Sequence, residues 1–135
     1  MDKFISVLSE EPIYGSKLEI FVGAAKIPLQ NELNKRHPNN YFIFPEWCRA
    51  FHVSPVHSYN HYIWLEKYDP NCVEDISTLA HEIIHYCTLI LDKVGIPFTR
   101  ENDETLTHLF EYTFTRVLID LAKINRETRK DEKGK

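Results

Sequence analysis

The chain has 135 residues, 43% hydrophobic and 27% charged, enough for one domain with its own core. Its net charge is −4, and Lys and Arg gather only near the C-terminus, so nothing supplies the basic footprint of a nucleic-acid binder. No apolar run approaches the roughly 20 residues needed to cross a bilayer, and Met1-Asp2-Lys3 does not open a basic, apolar leader, so no membrane partner and a cytoplasmic location are expected.

Leu18, Ile20 and Val22 alternate with outward residues, predicting a strand over Lys17–Val22 that stops at Gly23. Pro28 suits the first turn of a short helix, Pro28–Arg36, closed by His37-Pro38. Asn39-Asn40 makes a turn, and Tyr41–Phe44 is a short apolar run, strand or loop, ended by Pro45. Arg49–Val53 and His61–Lys67 read as two strands joined by a loop, Ser54–Asn60. Within the second, Tyr62, Trp64 and Glu66 share one face and His61, Ile63 and Leu65 the other. Aromatic sets of this kind usually pack. His52, His57 and His61 are spread across a loop without fixed mutual geometry, so surface or hydrogen-bonding roles are expected. One of them, or Tyr59 or Tyr62, remains open as a donor to a developing oxyanion.

The next element is the best marked. Asp69-Pro70 reads as N-cap and first helical residue, and Glu74 and Asp75 bring negative charge to the positive end of the helix dipole. Val73, Ile76, Leu79, Ala80, Ile83, Ile84, Cys87, Ile90, Leu91 and Val94 follow with helical spacing. Lys93, then Gly95 as the left-handed residue, Ile96 and Pro97 mark the end. On this helix His81, His85, Thr88 and Asp92 share an edge beside the apolar stripe. A second long helix follows the short Gly-Ile-Pro connection, with Leu106, Leu109, Phe110, Phe114, Val117, Leu118, Leu121 and Ile124 in helical register. The last segment, Arg126 to Lys135, has no apolar residue and is expected to be a disordered charged tail after a single domain spanning 1–125. Cys48, Cys72 and Cys87 are odd in number, contain no C-x-x-C pair and are expected to be reduced.

His81-Glu82-Ile83-Ile84-His85 carries the chemistry. Two imidazoles four residues apart on a helix meet on one face, near enough to share one metal ion, with a carboxylate beside them to accept a proton from an activated water. This is the H-E-x-x-H pattern of zinc metallopeptidases. Catalytic zinc usually takes three protein ligands and leaves one position for water. Candidates for the third lie in the stretch from Thr99 to His108, namely Glu101, Asp103, Glu104 and His108.

The motif resembles that of the zincins, and a carboxylate on a following helix resembles the thermolysin-like subgroup, the gluzincins. That resemblance selects Glu104, nineteen positions after His85 (104 − 85), as the third zinc ligand. In that subgroup the residue four further along is often acidic and holds a ligand histidine. Here it is His108, which leaves His108 open as a ligand, a group supporting a ligand, or an acid near substrate, and Asp103 or Glu101 open as the supporting group. From Asp75 to Phe114, on the motif, Gly95-Ile96-Pro97 and Glu101-Asn102-Asp103-Glu104, the chain is similar to small zincin-like proteins of bacteriophages and prophages.

The resemblance implies a reduced zincin-like α+β domain, a small mostly antiparallel sheet packed on the motif helix and a second long C-terminal helix. It also implies a Zn2+ cofactor, a peptide or protein substrate, Glu82 as general base, and, for a phage gene, a location in the host cytoplasm. In zincins an edge strand beside the metal pairs with extended substrate, which gives His61–Lys67, with Tyr62 and His61, a place near the substrate. The alternative it leaves is a catalytically silent phage structural or interaction protein. A bound metal stabilises a small fold, so a site can persist without turnover. The oligomeric state is not set by the sequence.

Overall fold

The computed structural model describes residues 4–134; the N-terminal tripeptide read above for a leader, and Lys135, lie outside the described residues. The elements in order are β1 (Ile5–Glu11), β2 (Ser16–Val22), α1 (Lys26–Arg36), β3 (Ala50–Val53), β4 (Asn60–Leu65), α2 (Val73–Lys93), a 3-10 turn (Arg100–Asn102) and α3 (Asp103–Lys133). The fold is α+β, with one mixed sheet in the order β1-β2-β4-β3. β1 with β2 and β3 with β4 run antiparallel, while β2 and β4 run parallel, Leu18 opposite His61 and Val22 opposite Leu65. The parallel pair needs a crossover, and the chain through α1 and β3 is long enough to supply it.

Alternation along the strands sends side chains to two cores. Val7, Leu18, Ile20, Val22, Ile63 and Leu65 pack with Leu79, Ile83, Tyr86 and Ile90 of α2 and with Leu109, Val117 and Leu121 of α3. On the opposite face Phe21, Phe51, Tyr62 and Trp64 pack with Leu29 and Leu33 of α1 and with Phe44. The aromatic face of β4 is therefore core packing. Trp64 donates its Nε1–H to the Ala24 carbonyl at 2.7 Å, and the Tyr62 hydroxyl lies 2.6 Å from His37 Nε2.

β4 lies between β2 and β3, so the expectation that it is an edge strand is corrected: the edge on that side of the sheet is β3. The cause is β2, which pairs with β4 across the crossover, a long-range contact that no local pattern announces. β1 gives no strand signal because two of its inward positions are polar, Ser9 and Glu11. Glu11 accepts hydrogen bonds from the Ile13 and Tyr14 amides and from Ser16 Oγ, fixing the turn to β2. The segment Tyr41–Phe44 is irregular because α1 clamps it. Asn34 bonds both the amide and the carbonyl of Phe42, and Gln30 accepts from the Phe44 amide.

Two further expectations change. α2 begins at Val73, after Cys72, because Asp69 closes its own turn: its carboxylate takes the Asn71 amide at 2.9 Å and its carbonyl the Cys72 amide at 3.0 Å. The segment expected as a disordered tail continues α3 to Lys133 with its side chains exposed. Between Arg126 and Lys133 no Pro or Gly interrupts a run of mostly good helix formers. The C-terminal end of α2 follows the sequence reading: Gly95 has φ +80°, and the Ile96 amide reaches back to the Leu91 carbonyl at 2.8 Å. No helix among the described residues is long and apolar enough to cross a membrane.

Candidate active site

α2 lies across the sheet with Leu79, Ile83, Tyr86, Cys87 and Ile90 inward, which leaves His81 and His85 on its exposed flank. Their Nε2 atoms are 3.1 Å apart and the rings are nearly perpendicular, at 78°. At that distance one ring can donate to the other, or both lone pairs can meet one cation. Two nitrogens each about 2.0–2.1 Å from a tetrahedral zinc stand about 3.3 Å apart. The pair therefore fits two positions of a zinc site with little adjustment.

Glu82 differs from both neighbours in being buried, with 6% of its surface exposed. Burial raises its carboxyl pKa above the usual range, and His81 and His85 pull in the opposite direction. Among the described residues its oxygens have no side-chain or backbone hydrogen-bond partner, yet they are not sealed from solvent. Glu82 instead opens on a groove of about 580 Å³ whose walls include His52, His85, Thr88 and Asp92, with Phe51 at the β3 edge. The arrangement gives a carboxylate ready to exchange a proton, held within one helical turn of two metal-ready imidazoles.

Glu104 does not join them. Its carboxylate is exposed, with 83% of the side chain in solvent, and lies 3.2 Å from His108 Nε2 on the same outer face of α3. Among the described residues no three His, Cys, Asp or Glu side chains stand close enough together to hold a metal. The reason is the hairpin between α2 and α3. The first turn of α3 packs beside the last turns of α2, where Asn102 and Leu106 share a small cavity with Leu91, Asp92 and Ile96. His85 lies seven residues before Asp92, about 10 Å back along the helix axis. Level with the histidines, α3 turns buried Thr113 and Val117 inward. The short connection that makes a compact hairpin also keeps the Glu101–His108 stretch away from the motif. Asp103 is exposed at the start of α3, and Glu101 and His108 are exposed as well.

Of the remaining candidates, Tyr62 lies on the α1 side of the sheet, away from α2. His61 faces α2 but is fully buried, its Nδ1 2.9 Å from His52 Nε2. His57 sits in the β3–β4 loop with φ +60°. His52, one of the residues left open as an oxyanion donor and otherwise expected in a surface or hydrogen-bonding role, is the one of that group that lines the groove with Glu82 and His85. The available signal was alternation, since His52 lies two residues from Ala50 and shares the β3 face that packs on α2. Cys48, Cys72 and Cys87 are free thiols, with Cys87 buried. Comparison of the chain with family models, with curated proteins and with solved structures gives no match.

Proposed function

We propose that this chain is a zinc-dependent hydrolase of the zincin type, acting on amide bonds of peptides or proteins, with His81 and His85 as metal ligands and Glu82 as general base. The observation that carries the reading is the pairing of two imidazole Nε2 atoms 3.1 Å apart with a buried carboxylate that has no partner among the described residues and lines a groove together with His85. When bound, zinc supplies Lewis-acid polarisation of a water and a carbonyl. Glu82 takes the proton as water attacks the amide carbon and delivers it to the departing nitrogen. Its burial helps in the second half of that cycle, because a raised carboxyl pKa makes the proton easier to hold. Among the described residues no strand pairs with the outer side of β3, and an extended peptide can add there beside the groove.

A second reading has its own observation. Glu104 is exposed on the outer face of α3 and no third ligand is gathered among the described residues, which favours a silent zincin-like module, of the structural or interaction kind expected from the phage resemblance. One experiment separates the two. Purified protein equilibrated with zinc is dialysed, its metal content is measured, and it is then incubated with an unfolded protein substrate whose fragments are followed by mass spectrometry. One zinc per chain with cleavage that disappears in Glu82→Gln supports the hydrolase. Zinc without cleavage supports the silent module, and no retained zinc removes the metal reading altogether.

A further inference from the structure

The inference rests on the hydrolytic reading of the groove and assigns one more of its working groups. His52 stands on the edge strand, on the groove wall shared with Glu82 and His85. Its Nε2 is 2.9 Å from His61 Nδ1, with the two rings edge to edge in nearly one plane, 12° between planes and 5.1 Å between centroids. Among the described residues its other nitrogen, Nδ1, has no protein partner and is not among the sealed polar atoms, so it reaches solvent on a residue that lines the groove. Both rings are neutral at pH 7. Burial is the main cause, lowering His52 to about 4 and His61 to about 3, with His85 and Lys93 adding to the effect at His52, and His52 and Lys93 at His61.

A hydrogen bond between two neutral imidazoles holds one proton on the shared line, and its direction fixes the tautomer of both rings. If His52 donates, His61 must carry its proton on Nε2, an N–H sealed in the core with no acceptor among the described residues. The aromatic neighbour on that ring, Tyr86, stands edge-on at 4.9 Å, and its hydroxyl is already engaged with Ser16 Oγ at 2.6 Å. If His61 donates from Nδ1, the sealed nitrogen is a bare lone pair, and an orphaned buried N–H is avoided. His52 then carries its proton on Nδ1, pointing to the open side.

We propose that His52 is the hydrogen-bond donor of this groove: His61, sealed in the core, holds it in the Nδ1–H form, so that β3 presents an N–H to the carbonyl oxygen of a bound amide. The bond strengthens as that oxygen gains negative charge during attack by water, which is how a fixed donor lowers a barrier. His61 touches no substrate and is a positioning residue. The site is thus divided between two elements, with metal ligands and base on α2 and the carbonyl donor on β3.

Two measurements on the full chain test this. Long-range proton–nitrogen NMR of the 15N-labelled protein at pH 7 reads the His52 tautomer directly, without metal or substrate. The Nδ1–H form is expected, and the Nε2–H form overturns the proposal. The zinc-loaded protein is then titrated with phenylphosphonate, a tetrahedral anion that mimics the attacked carbonyl. His52→Phe, which keeps a planar ring at this position without a donor, and His52→Ala should retain zinc and bind the phosphonate at least about ten-fold more weakly. Unchanged phosphonate binding overturns the proposal, and so does loss of zinc, which would make His52 a ligand. Wild-type protein that takes up no zinc is a different failure: it removes the hydrolytic reading on which this one rests.

Discussion

Two pairs of histidines have almost the same separation and opposite surroundings. His81 and His85 sit 3.1 Å apart on the exposed flank of one helix, four residues from each other. His52 and His61 sit 2.9 Å apart on adjacent strands, with His61 fully buried. In the first pair the two Nε2 atoms meet on an exposed flank, at a separation that suits a shared cation. In the second, one nitrogen from each ring is spent on the partner, and burial holds the rings neutral, so the pair behaves as a core hydrogen bond with one free end. Distance alone assigns neither role. What differs is which nitrogens remain available, and that follows from the element each ring is mounted on.

The strongest way to break the comparison is to remove a ring from each pair. His81→Ala and His85→Ala should each reduce zinc affinity by about 100-fold or more while leaving the circular dichroism spectrum unchanged, because both side chains are exposed and a divalent ion then loses one of its two imidazoles. Equal zinc uptake by either variant and the wild type, measured by equilibrium dialysis, would show that the motif is not a metal site. Glu82→Gln should keep the metal and lower hydrolysis by about 10²–10⁴-fold, the range of a lost general base. Full activity against the same substrate would remove Glu82 from the mechanism.

The buried pair predicts a pH dependence. Unfolded histidines titrate near 6.5, whereas folded His52 and His61 titrate at about 4 and about 3. Between these values the unfolded chain binds more protons, so the stability contributed by the neutral pair is present above about pH 6.5 and is lost as pH falls through 4 and then 3. Urea midpoints at pH 7 and 4.5 should fall on acidification in the wild type and fall less in His61→Leu. An equal drop in both would assign the acid sensitivity to other groups. The smallest effect belongs to Glu104→Gln. An exposed carboxylate beside an exposed His108 contributes within about 0.5 kcal/mol, and the variant should match the wild type in both melting and zinc uptake. A clear loss of zinc would restore Glu104 to the site.

Local pattern carried much of the fold. The 3.6-residue spacing of α2 and α3 and the period-two alternation of β2 and β4 are properties of a few consecutive side chains, so the elements and their inward faces can be read from the chain. β1 escaped because Ser9 and Glu11 occupy inward positions, and their burial is made tolerable by partners such as Ser16 that only the turn brings close. The same distinction divides the candidate site. His81, Glu82 and His85 are three positions on one helix, whose relative placement is fixed by helical geometry before any packing occurs. Glu104 and His52 belong to other elements, and their placement depends on how those elements meet α2.

The sequence by itself therefore determined the helices, most of the strands and the grouping of two imidazoles with a carboxylate, because these depend on spacing along the chain. Only the tertiary structure decided that β3 is an edge, that the α2–α3 hairpin carries Glu104 away from the motif, and that His52 opens on the groove beside Glu82. Those outcomes are set by pairing and packing between segments far apart in the chain, where burying an apolar face outweighs any preference expressed locally.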